Sequence, residues 1–228
     1  MPSATLWQQH SRALLFATAA APPLTGWAVH VSVLRRRVRA AQRDPLTGLW
    51  RRESYTARAH RLLTRPAPSR RRDIAALFVD ADHFKQINDR EGHEAGDAVL
   101  AALGKRLTGW AGPRGVCGRL GGDEFAAVLP LPAEHRAERL EQLVRALHAP
   151  VLLDDGRLIQ VSASVGVATT DILGTRDLTV LQRASDAALY DGKHTGRAVL
   201  ATTAHTRVPS VNGRRLGRPG TNVWGQAA

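Results

Sequence analysis

The chain of 228 residues contains a single cysteine, Cys117, and only 5% aromatic residues. One cysteine excludes an internal disulfide framework, which fits a reducing, cytosolic environment for the folded part. The nine histidines are scattered, and no His/Cys spacing indicates a structural zinc site. The hydrophobic content of 43% is nevertheless ordinary for a globular core. The length therefore predicts one domain of roughly 150 residues with extensions.

Lysine is scarce as well, because arginine supplies nearly all of the positive charge and only Lys85, Lys105 and Lys193 are lysines. Lys and Arg together number 32 against 20 Asp and Glu, which gives a formal net charge of +12. Such an excess points to an anionic partner, and nucleic acid is the first alternative. The sequence has no helix-turn-helix signature, zinc finger or interleaving of aromatic and basic residues. Nucleic-acid binding is therefore not expected.

Charged residues are absent from residues 14–34, LLFATAAAPPLTGWAVHVSVL. The length suits a membrane-spanning helix, which needs about 20 apolar residues, and the Arg-rich block at 35–43 would hold the following chain in the cytoplasm. Pro22 and Pro23 interrupt the stretch, so a packed helix and a signal peptide are the alternatives. We expect a single-pass anchor in the inner (cytoplasmic) membrane. Without an anchor, the protein would be cytoplasmic.

Strand-like and helix-like patterns alternate through residues 44–201, which predicts an α+β domain with helices packed against a sheet. Residues 1–43 are expected to form an N-terminal segment with the anchor and a basic linker helix, and residues 202–228 a disordered basic tail. The predicted helices cover 52–63, 95–108, 133–148 and 178–194, and the predicted strands cover 73–82, 125–129, 151–153, 158–169 and 198–201.

Carboxylates occur in pairs at two of the predicted strand ends. Asp80 and Asp82 close an apolar strand, and Asp123 and Glu124 follow the glycine pair 121–122 in GRLGGDEF. Two glycines favour a tight hairpin turn, so a solvated hairpin tip is the plain interpretation. Paired carboxylates at the end of a buried strand are costly unless a cation compensates, and Mg²⁺ is the usual cation. A hairpin beside the first strand would bring Asp80 and Asp123 together.

Two basic residues, Lys193 and Arg197, stand four apart in DGKHTGR at the end of a predicted helix. That spacing allows both side chains to reach the same side, as a phosphate clamp would. Carboxylate oxygens together with phosphate-binding cations are what Mg²⁺-dependent phosphoryl chemistry requires. The residues alone therefore favour a phosphoryl-transfer site.

Five motifs occur in order along the chain: DPLTGL, DADHFKQINDREGHEAGD, GRLGGDEF, SVGVA and ASDAALYDGKHTGR. Together they resemble the signature set of the GGDEF family of diguanylate cyclases, over about residues 44–201. The resemblance implies a polymerase-palm-like nucleotidyl-cyclase domain, with a central, mostly antiparallel sheet and a βαββαβ core flanked by helices. The N-terminal hydrophobic helix would precede this domain.

The resemblance also implies the activity. A diguanylate cyclase is a nucleotidyltransferase that condenses two GTP molecules into cyclic di-GMP and two pyrophosphates, for bacterial second-messenger signalling. The alternative is a catalytically inactive GGDEF-like module that binds GTP or cyclic di-GMP as a sensor. Because one domain holds one GTP, the reaction implies a homodimer.

The family pattern implies three catalytic carboxylates, Asp80, Asp123 and Glu124. Asp80 and Asp123, with the backbone carbonyl of Ala81, would hold two Mg²⁺ ions per active site, for which Mn²⁺ is an expected substitute. Glu124 would either orient a metal ion or help to deprotonate the attacking hydroxyl. The resemblance leaves both roles of Glu124 open.

The same pattern implies a GTP site with a base end and a phosphate end. Asn88 and Asp97 would hydrogen-bond the guanine edge. The groups implied at the triphosphate are side chains, backbone N–H groups and closely approaching glycines: His83, Phe84, Lys85, Gly121, Gly122, Lys193 and Arg197.

One departure from the family concerns feedback. Many members carry an RxxD motif shortly before the hairpin, whose arginine and aspartate grip a cyclic di-GMP dimer. Those two positions fall on Gly112 and Gly115 here, and Arg114 is out of register without an acid partner. We therefore expect product feedback to be missing and Arg114 to be a solvated loop residue.

Near the start of the domain, Asp44 is expected to pair with an arginine, with Arg52 as the candidate.

Overall fold

The computed structural model describes residues 27, 30–33, 42–65, 73–193 and 195–207. The chain divides into two compact units, residues 1–42 and residues 43–228. In the first unit the described residues 27 and 30–33 are helical, and Gln42 lies in a turn. The second unit contains all of the strands described below.

The membrane segment expected at residues 14–34 is not supported. Among the residues that the structure describes, no helix is long and apolar enough to cross a membrane. Most of the segment lies outside the described residues. The sequence offers a physical reason, since Pro22 and Pro23 leave residues 24–34 as the uninterrupted apolar stretch, well short of the about 20 residues that a spanning helix needs. The expected single-pass location in the cytoplasmic membrane is therefore wrong.

The strands of the second unit are β1 (Trp50–Arg51), β2 (Ile74–Ala81), β3 (Val116–Gly121), β4 (Glu124–Pro130), β5 (Val151–Leu152), β6 (Leu158–Ile159), β7 (Ala163–Thr169) and β8 (Ala198–Leu200). Six of them form one mixed sheet in the order β1-β3-β4-β2-β7-β8. The three inner pairings are antiparallel, whereas β1 pairs with β3 and β7 with β8 in parallel. A separate two-stranded sheet joins β5 and β6.

The helices of the second unit lie on both sides of this sheet. Short 3₁₀ turns cover Ala133–His135 and Thr203–Arg207, the latter within the segment expected to be a tail. The α-helices are α1 (Arg52–Thr64), α2 (Phe84–Glu91), α3 (His93–Ala111), α4 (Arg136–Leu147), α5 (Thr170–Leu173) and α6 (Leu178–Asp191).

Strand β2 is buried along its whole length because both faces of the sheet are covered. Leu77 and Val79 belong to the core that contains residues of α3 and α4. Ala76 and Phe78 point the opposite way and belong to the core that contains residues of α1 and α6. Since strand side chains alternate between faces, Asp80 lies on the α1/α6 face, at the end of that core. The apolar run of β2 thus ends in a carboxylate where the core of this face ends.

Candidate active site

Buried carboxylates gather where β2 ends and β4 begins. Strand β4 pairs with β2, and Asp80 stands directly opposite Glu124 in the antiparallel register. The backbone N–H of Ala81 donates to the carbonyl of Asp123 at 3.1 Å, which ties the turn before β4 to the end of β2. The relative exposures are 3% for Asp80, 4% for Asp82, 7% for Asp123 and 8% for Glu124. A solvated hairpin tip is therefore excluded.

Two cations reach these carboxylates from the helices that cover the α1/α6 face. Like charges directly opposite each other in a sheet are destabilising, so Asp80 and Glu124 need compensation. The Nζ of Lys193, just beyond the end of α6, donates to Oδ1 of Asp80 at 2.8 Å. The guanidinium of Arg52, the first residue of α1, lies 4.0 Å from Oε2 of Glu124. Each of the two opposed carboxylates thus has its own cation.

The hairpin turn lies one residue later than the glycine pair suggests. Gly121 is the last residue of β3 and pairs with Glu124, after a register shift between Arg119 and Gly121. The two residues of the turn are therefore Gly122 and Asp123. Gly122 has φ +51° and Gly121 has φ +156°, so each glycine has a backbone conformation that other residues rarely adopt. The positive φ of Gly122 is needed in the turn, and the positive φ of Gly121 is needed at the register shift that precedes the turn.

Two arginines hold the backbone of this hairpin. Arg119 donates from Nε and Nη2 to the carbonyl of Gly122, at 3.0 and 2.8 Å. Its Nη1 donates to Oδ1 of Asp44 at 3.0 Å. Arg52 donates from Nε to the carbonyl of Leu120 at 2.9 Å. The pairing of Asp44 with Arg52, expected from the sequence, is therefore corrected: Asp44 pairs with Arg119, because Arg52 points towards the hairpin.

Asp44 connects the first turn of the domain to the hairpin. Its Oδ1 accepts hydrogen bonds from the backbone N–H of Thr47 at 2.9 Å and from the Thr47 hydroxyl at 2.7 Å. Burial acts to raise the pKa of Asp44, but the hydrogen bonds from Thr47 and Arg119 outweigh burial and hold the pKa below its ordinary value. Asp44 is therefore an ionised acceptor shared by the turn and the hairpin.

Asp82 is buried in the turn that follows β2, and its hydrogen bonds fix the chain there. The hydroxyl of Ser164 donates to its Oδ1 at 2.7 Å. The backbone N–H of Asp82 donates to the carbonyl of Ser162 at 2.9 Å. These bonds hold the chain next to Ala81, whose carbonyl is one of the oxygens expected at a metal site. Asp89, in contrast, is exposed on α2.

Helices α2 and α3 bring the expected base-contacting residues to one side. His83 precedes α2 in a left-handed conformation, with φ +54°. Asn88 of α2 is half-buried and lies against Gly96 of α3, where an added Cβ would collide with the Asn88 amide oxygen. Asp97 follows Gly96 and is exposed, as is Lys85. The absent side chain at Gly96 is what lets Asn88 lie beside the turn of α3 that carries Asp97.

The expected phosphate clamp is not helical. Helix α6 ends at Asp191, so Lys193 and Arg197 both lie in the segment between α6 and β8. Lys193 contacts Asp80, and Arg197 is exposed. The argument from a four-residue helical spacing was therefore wrong, although the two residues remain candidates for phosphate contacts.

Sequence reasoning missed three residues that shape the site: Arg52, Arg119 and Ser164. Arg119 and Ser164 lie within motifs that were recognised, GRLGGDEF and SVGVA. In a chain with 32 lysines and arginines, an arginine's position gives no sign of which carboxylate or carbonyl it meets. Arg52 meets Leu120, Arg119 meets Asp44 and Ser164 meets Asp82 across separations of 68, 75 and 82 positions, so only the folded chain reveals these contacts.

The donor set is suited to a divalent cation. Hard carboxylate and carbonyl oxygens from Asp80, Ala81 and Asp123 adjoin one another at the strand ends. Within the described part of the chain, no group of three or more His, Cys, Asp or Glu residues is arranged to hold a metal ion by itself. This is compatible with Mg²⁺, which usually takes one or two carboxylates and completes its coordination with water and substrate phosphates.

A sequence profile of the GGDEF family, described as "Diguanylate cyclase, GGDEF domain", matches residues 41–199. The chain belongs to the GGDEF family.

Relatives and solved structures agree with this assignment. An uncharacterized protein of Streptomyces ambofaciens is 46% identical over 175 residues, which cover 77% of this chain and 91% of that protein. Diguanylate cyclase TpbB of Pseudomonas aeruginosa is 38% identical over 159 residues, which cover 69% of this chain but 36% of TpbB. This chain thus spans little more than a third of TpbB.

Among solved structures, the isolated GGDEF domain of the same Pseudomonas aeruginosa protein has a TM-score of 0.64 and 35% identity, covering 72% of this chain and 97% of that one. The coiled coil and GGDEF domain of DgcB from Caulobacter crescentus, solved in complex with c-di-GMP, has a TM-score of 0.65 and 27% identity. That match covers 84% of this chain and 98% of the DgcB chain.

Proposed function

We propose that this protein is an active diguanylate cyclase, which condenses two GTP molecules into cyclic di-GMP and releases two pyrophosphates. The observation that carries the proposal is the set of buried carboxylates at the meeting ends of β2 and β4, with Lys193 bonded to Asp80. Burying several carboxylates in one place costs stability unless cationic groups or metal ions pair with them. Membership of the GGDEF family supplies the chemistry for which such a site is suited.

Each half of the reaction is a substitution at an α-phosphorus. The 3′-oxygen of one GTP forms a bond to the α-phosphorus of the other. The bond between that phosphorus and the oxygen of the departing pyrophosphate breaks, and the attacking 3′-hydroxyl gives up its proton. Two such steps close the ring of cyclic di-GMP. Since each domain binds one GTP, two chains must face each other, and catalysis consists mainly of positioning and stabilising charge.

Asp80, Asp123 and the carbonyl of Ala81 would hold the two divalent ions, Mg²⁺ or Mn²⁺. Bound there, such ions neutralise charge on the phosphate oxygens. Glu124 either orients one ion or accepts the hydroxyl proton.

The remaining residues bind GTP. Asn88 and Asp97 bond the guanine edge, and the glycines of the hairpin leave room for the phosphates. The groups proposed at the triphosphate are the backbone N–H groups around His83 and Phe84 and the side chains of Lys85, Lys193 and Arg197.

The proposal is tested by incubating the purified full chain with GTP and Mg²⁺ and measuring cyclic di-GMP and pyrophosphate by mass spectrometry. We expect one cyclic di-GMP for every two pyrophosphates. Asp80→Ala and Asp123→Ala should each lower the rate by at least about 10²–10³, because transition-state electrostatics of this kind contribute that much. Asp89→Ala, which removes an exposed carboxylate of α2, is the matched control and should keep its activity.

Circular dichroism and thermal unfolding confirm that the variants fold. Near-normal turnover by a folded Asp80→Ala or Asp123→Ala chain would overturn the roles given to these carboxylates. If the unaltered chain binds GTP in calorimetry and makes no product, the inactive sensor module is the correct description instead.

A further inference from the structure

Arg52 contacts the GGDEF hairpin at two places. Its Nε donates to the carbonyl of Leu120 at 2.9 Å, and its Nη2 lies 4.0 Å from Oε2 of Glu124. The same Nη2 would be 3.9 Å from a Cβ placed on Gly121. The Arg52 side chain therefore lies alongside the glycine pair, between the carbonyl of Leu120 and the carboxylate of Glu124.

The backbone of Arg52 is itself well fixed. Arg52 opens α1, and Tyr55, one helical turn later, is fully buried. The ring of Tyr55 packs on Gly118 of β3, where an added Cβ would come within 2.6 Å of it. Helix α1 and strand β3 are thus in close contact directly behind the hairpin. A side chain that extends from this helix end has a rigid base, which accurate positioning of another group requires.

Glu124 needs such a partner because of its place in the sheet. It is 8% exposed and stands directly opposite Asp80, so the two carboxylates repel each other across the strand pair. Lys193 bonds to Asp80. The guanidinium of Arg52 lies on the Glu124 side of the pair, where it attracts that carboxylate away from Asp80.

We infer that Arg52 is a positioning residue of the active site, which sets the place of the Glu124 carboxylate and of the Leu120–Gly121 backbone without touching GTP. Whichever role Glu124 has in the reaction, its oxygens must lie at one place relative to Asp80. Arg52 provides that constraint through Glu124 and through the hairpin. This inference rests on the proposed function, which it extends to a residue of α1.

Steady-state kinetics of full-length variants test the role. Arg52→Gln should lower kcat by roughly 10- to 100-fold, since misplacement of a catalytic group by about 1 Å has effects of that size. The KM for GTP should change little, because Arg52 is not among the groups proposed to bind GTP. Arg52→Lys keeps the charge and should recover part of kcat. The matched control is Arg51→Gln, which alters the exposed neighbour that points to the carbonyl of Arg43 and should leave kcat unchanged.

A double-mutant cycle separates positioning from a general structural effect. If Arg52 acts through Glu124, adding Arg52→Gln to Glu124→Gln should lower kcat by no more than about twofold, because the two effects are not independent. An equal reduction in both backgrounds would overturn the inference. An Arg52→Gln chain with normal kcat would overturn it as well, while leaving the proposed function intact.

Hydrogen exchange tests the same inference without any turnover. The amides of residues 121–124, followed by mass spectrometry of the hairpin peptide, should exchange at least about tenfold faster in Arg52→Gln than in Arg51→Gln, because a local opening is no longer restrained. Unchanged exchange would overturn the inference even if the unaltered chain made no cyclic di-GMP. Absence of product from the unaltered chain would instead contradict the proposed function.

Discussion

At the scale of single residues, Gly96 bears most directly on the proposed guanine site. An added Cβ at this position would collide with the amide oxygen of Asn88 and approach the ring of Phe84 to 3.3 Å. We predict that Gly96→Ala displaces Asn88, raises the KM for GTP by roughly 10-fold or more, and weakens the preference for GTP over ATP. A site built to bond guanine rejects adenine because its polar groups would stay unpaired, and that rejection depends on Asn88 being in place.

Gly109→Ala is the control for this prediction. Gly109 also lies on α3, and a Cβ there meets nothing within 4 Å. The change should leave the KM unaltered and stabilise the helix slightly, by up to about 1 kcal/mol. Comparison of KM values for GTP and of rates with GTP and ATP in the two variants decides the matter. An unchanged GTP preference in Gly96→Ala would remove Asn88 from the base-binding site.

At the scale of elements, the turn that opens the domain and the GGDEF hairpin are joined through Asp44 and Arg119. Asp44→Asn should lower the free energy of unfolding at pH 7 by about 1–3 kcal/mol, since it removes the charge from a partly buried, hydrogen-bonded carboxylate. The folded-state pKa of Asp44 is lowered, so its contribution is present above the unfolded-state pKa of about 4 and is lost as the pH falls through the folded-state pKa.

Urea unfolding of the unaltered chain and of Asp44→Asn at a series of pH values measures this contribution. The difference between them should be largest near pH 7 and should shrink below about pH 4. Asp89→Asn, on the exposed side of α2, should show no such difference. If the gap between the unaltered chain and Asp44→Asn stayed constant down to pH 2, the ionised form of Asp44 would not be what joins the two elements.

The elements with long, simple patterns could be predicted from the sequence. Strand β2 was recognisable because a strand buried on both faces is apolar throughout. Helix α3 was recognisable from the spacing of Val99, Leu103 and Leu107, all of which are buried. The apolar stretch 158–169 was predicted as one strand but forms two strands, β6 and β7, which belong to different sheets. An apolar pattern does not reveal where a chain leaves one sheet for another.

The carboxylates of the site could be predicted because they follow recognisable strands, and β4 does pair beside β2 as expected. The contacts that Lys193 and Arg52 make at this site could not be predicted from the sequence. Lys193 was assigned to phosphate and contacts Asp80, and Arg52 was assigned to Asp44 and contacts the hairpin. These pairings depend on how the ends of α1 and α6 meet the sheet. The turn was also misplaced by one residue, because the irregularity between Arg119 and Gly121 leaves no mark in the pattern.

At the scale of the whole molecule, the proposed reaction requires two chains. Each chain carries one set of the carboxylates at the ends of β2 and β4, and in the proposed reaction one set serves one GTP. We predict that the rate per chain rises with protein concentration in the range where dimers form. Activity assays over a dilution series, with sedimentation velocity on the same samples, provide the measurement. A constant rate per chain in samples that are monomeric throughout would contradict a reaction between two facing sites.

Regulation by the product also belongs to this scale. Gly112 follows the last residue of α3 and has φ +69°, and the N–H of Gly115 donates to the carbonyl of Gly112 at 3.1 Å. A Cβ on Gly115 would come within 2.7 Å of the Cβ of Ala111. This tight turn has neither a guanidinium to bind phosphate nor a carboxylate acceptor at the two positions where many relatives have them.

We therefore predict that cyclic di-GMP at micromolar concentration does not inhibit this protein non-competitively. Competitive inhibition would carry no information, because product can occupy the GTP sites themselves. Arg114 is exposed beside this turn and lines a surface cavity together with Glu138 and Arg139, so the test includes a variant of this arginine. Initial rates at several GTP concentrations, with and without product, separate the two modes. Non-competitive inhibition that Arg114→Ala relieves would show that this turn binds product despite its glycines.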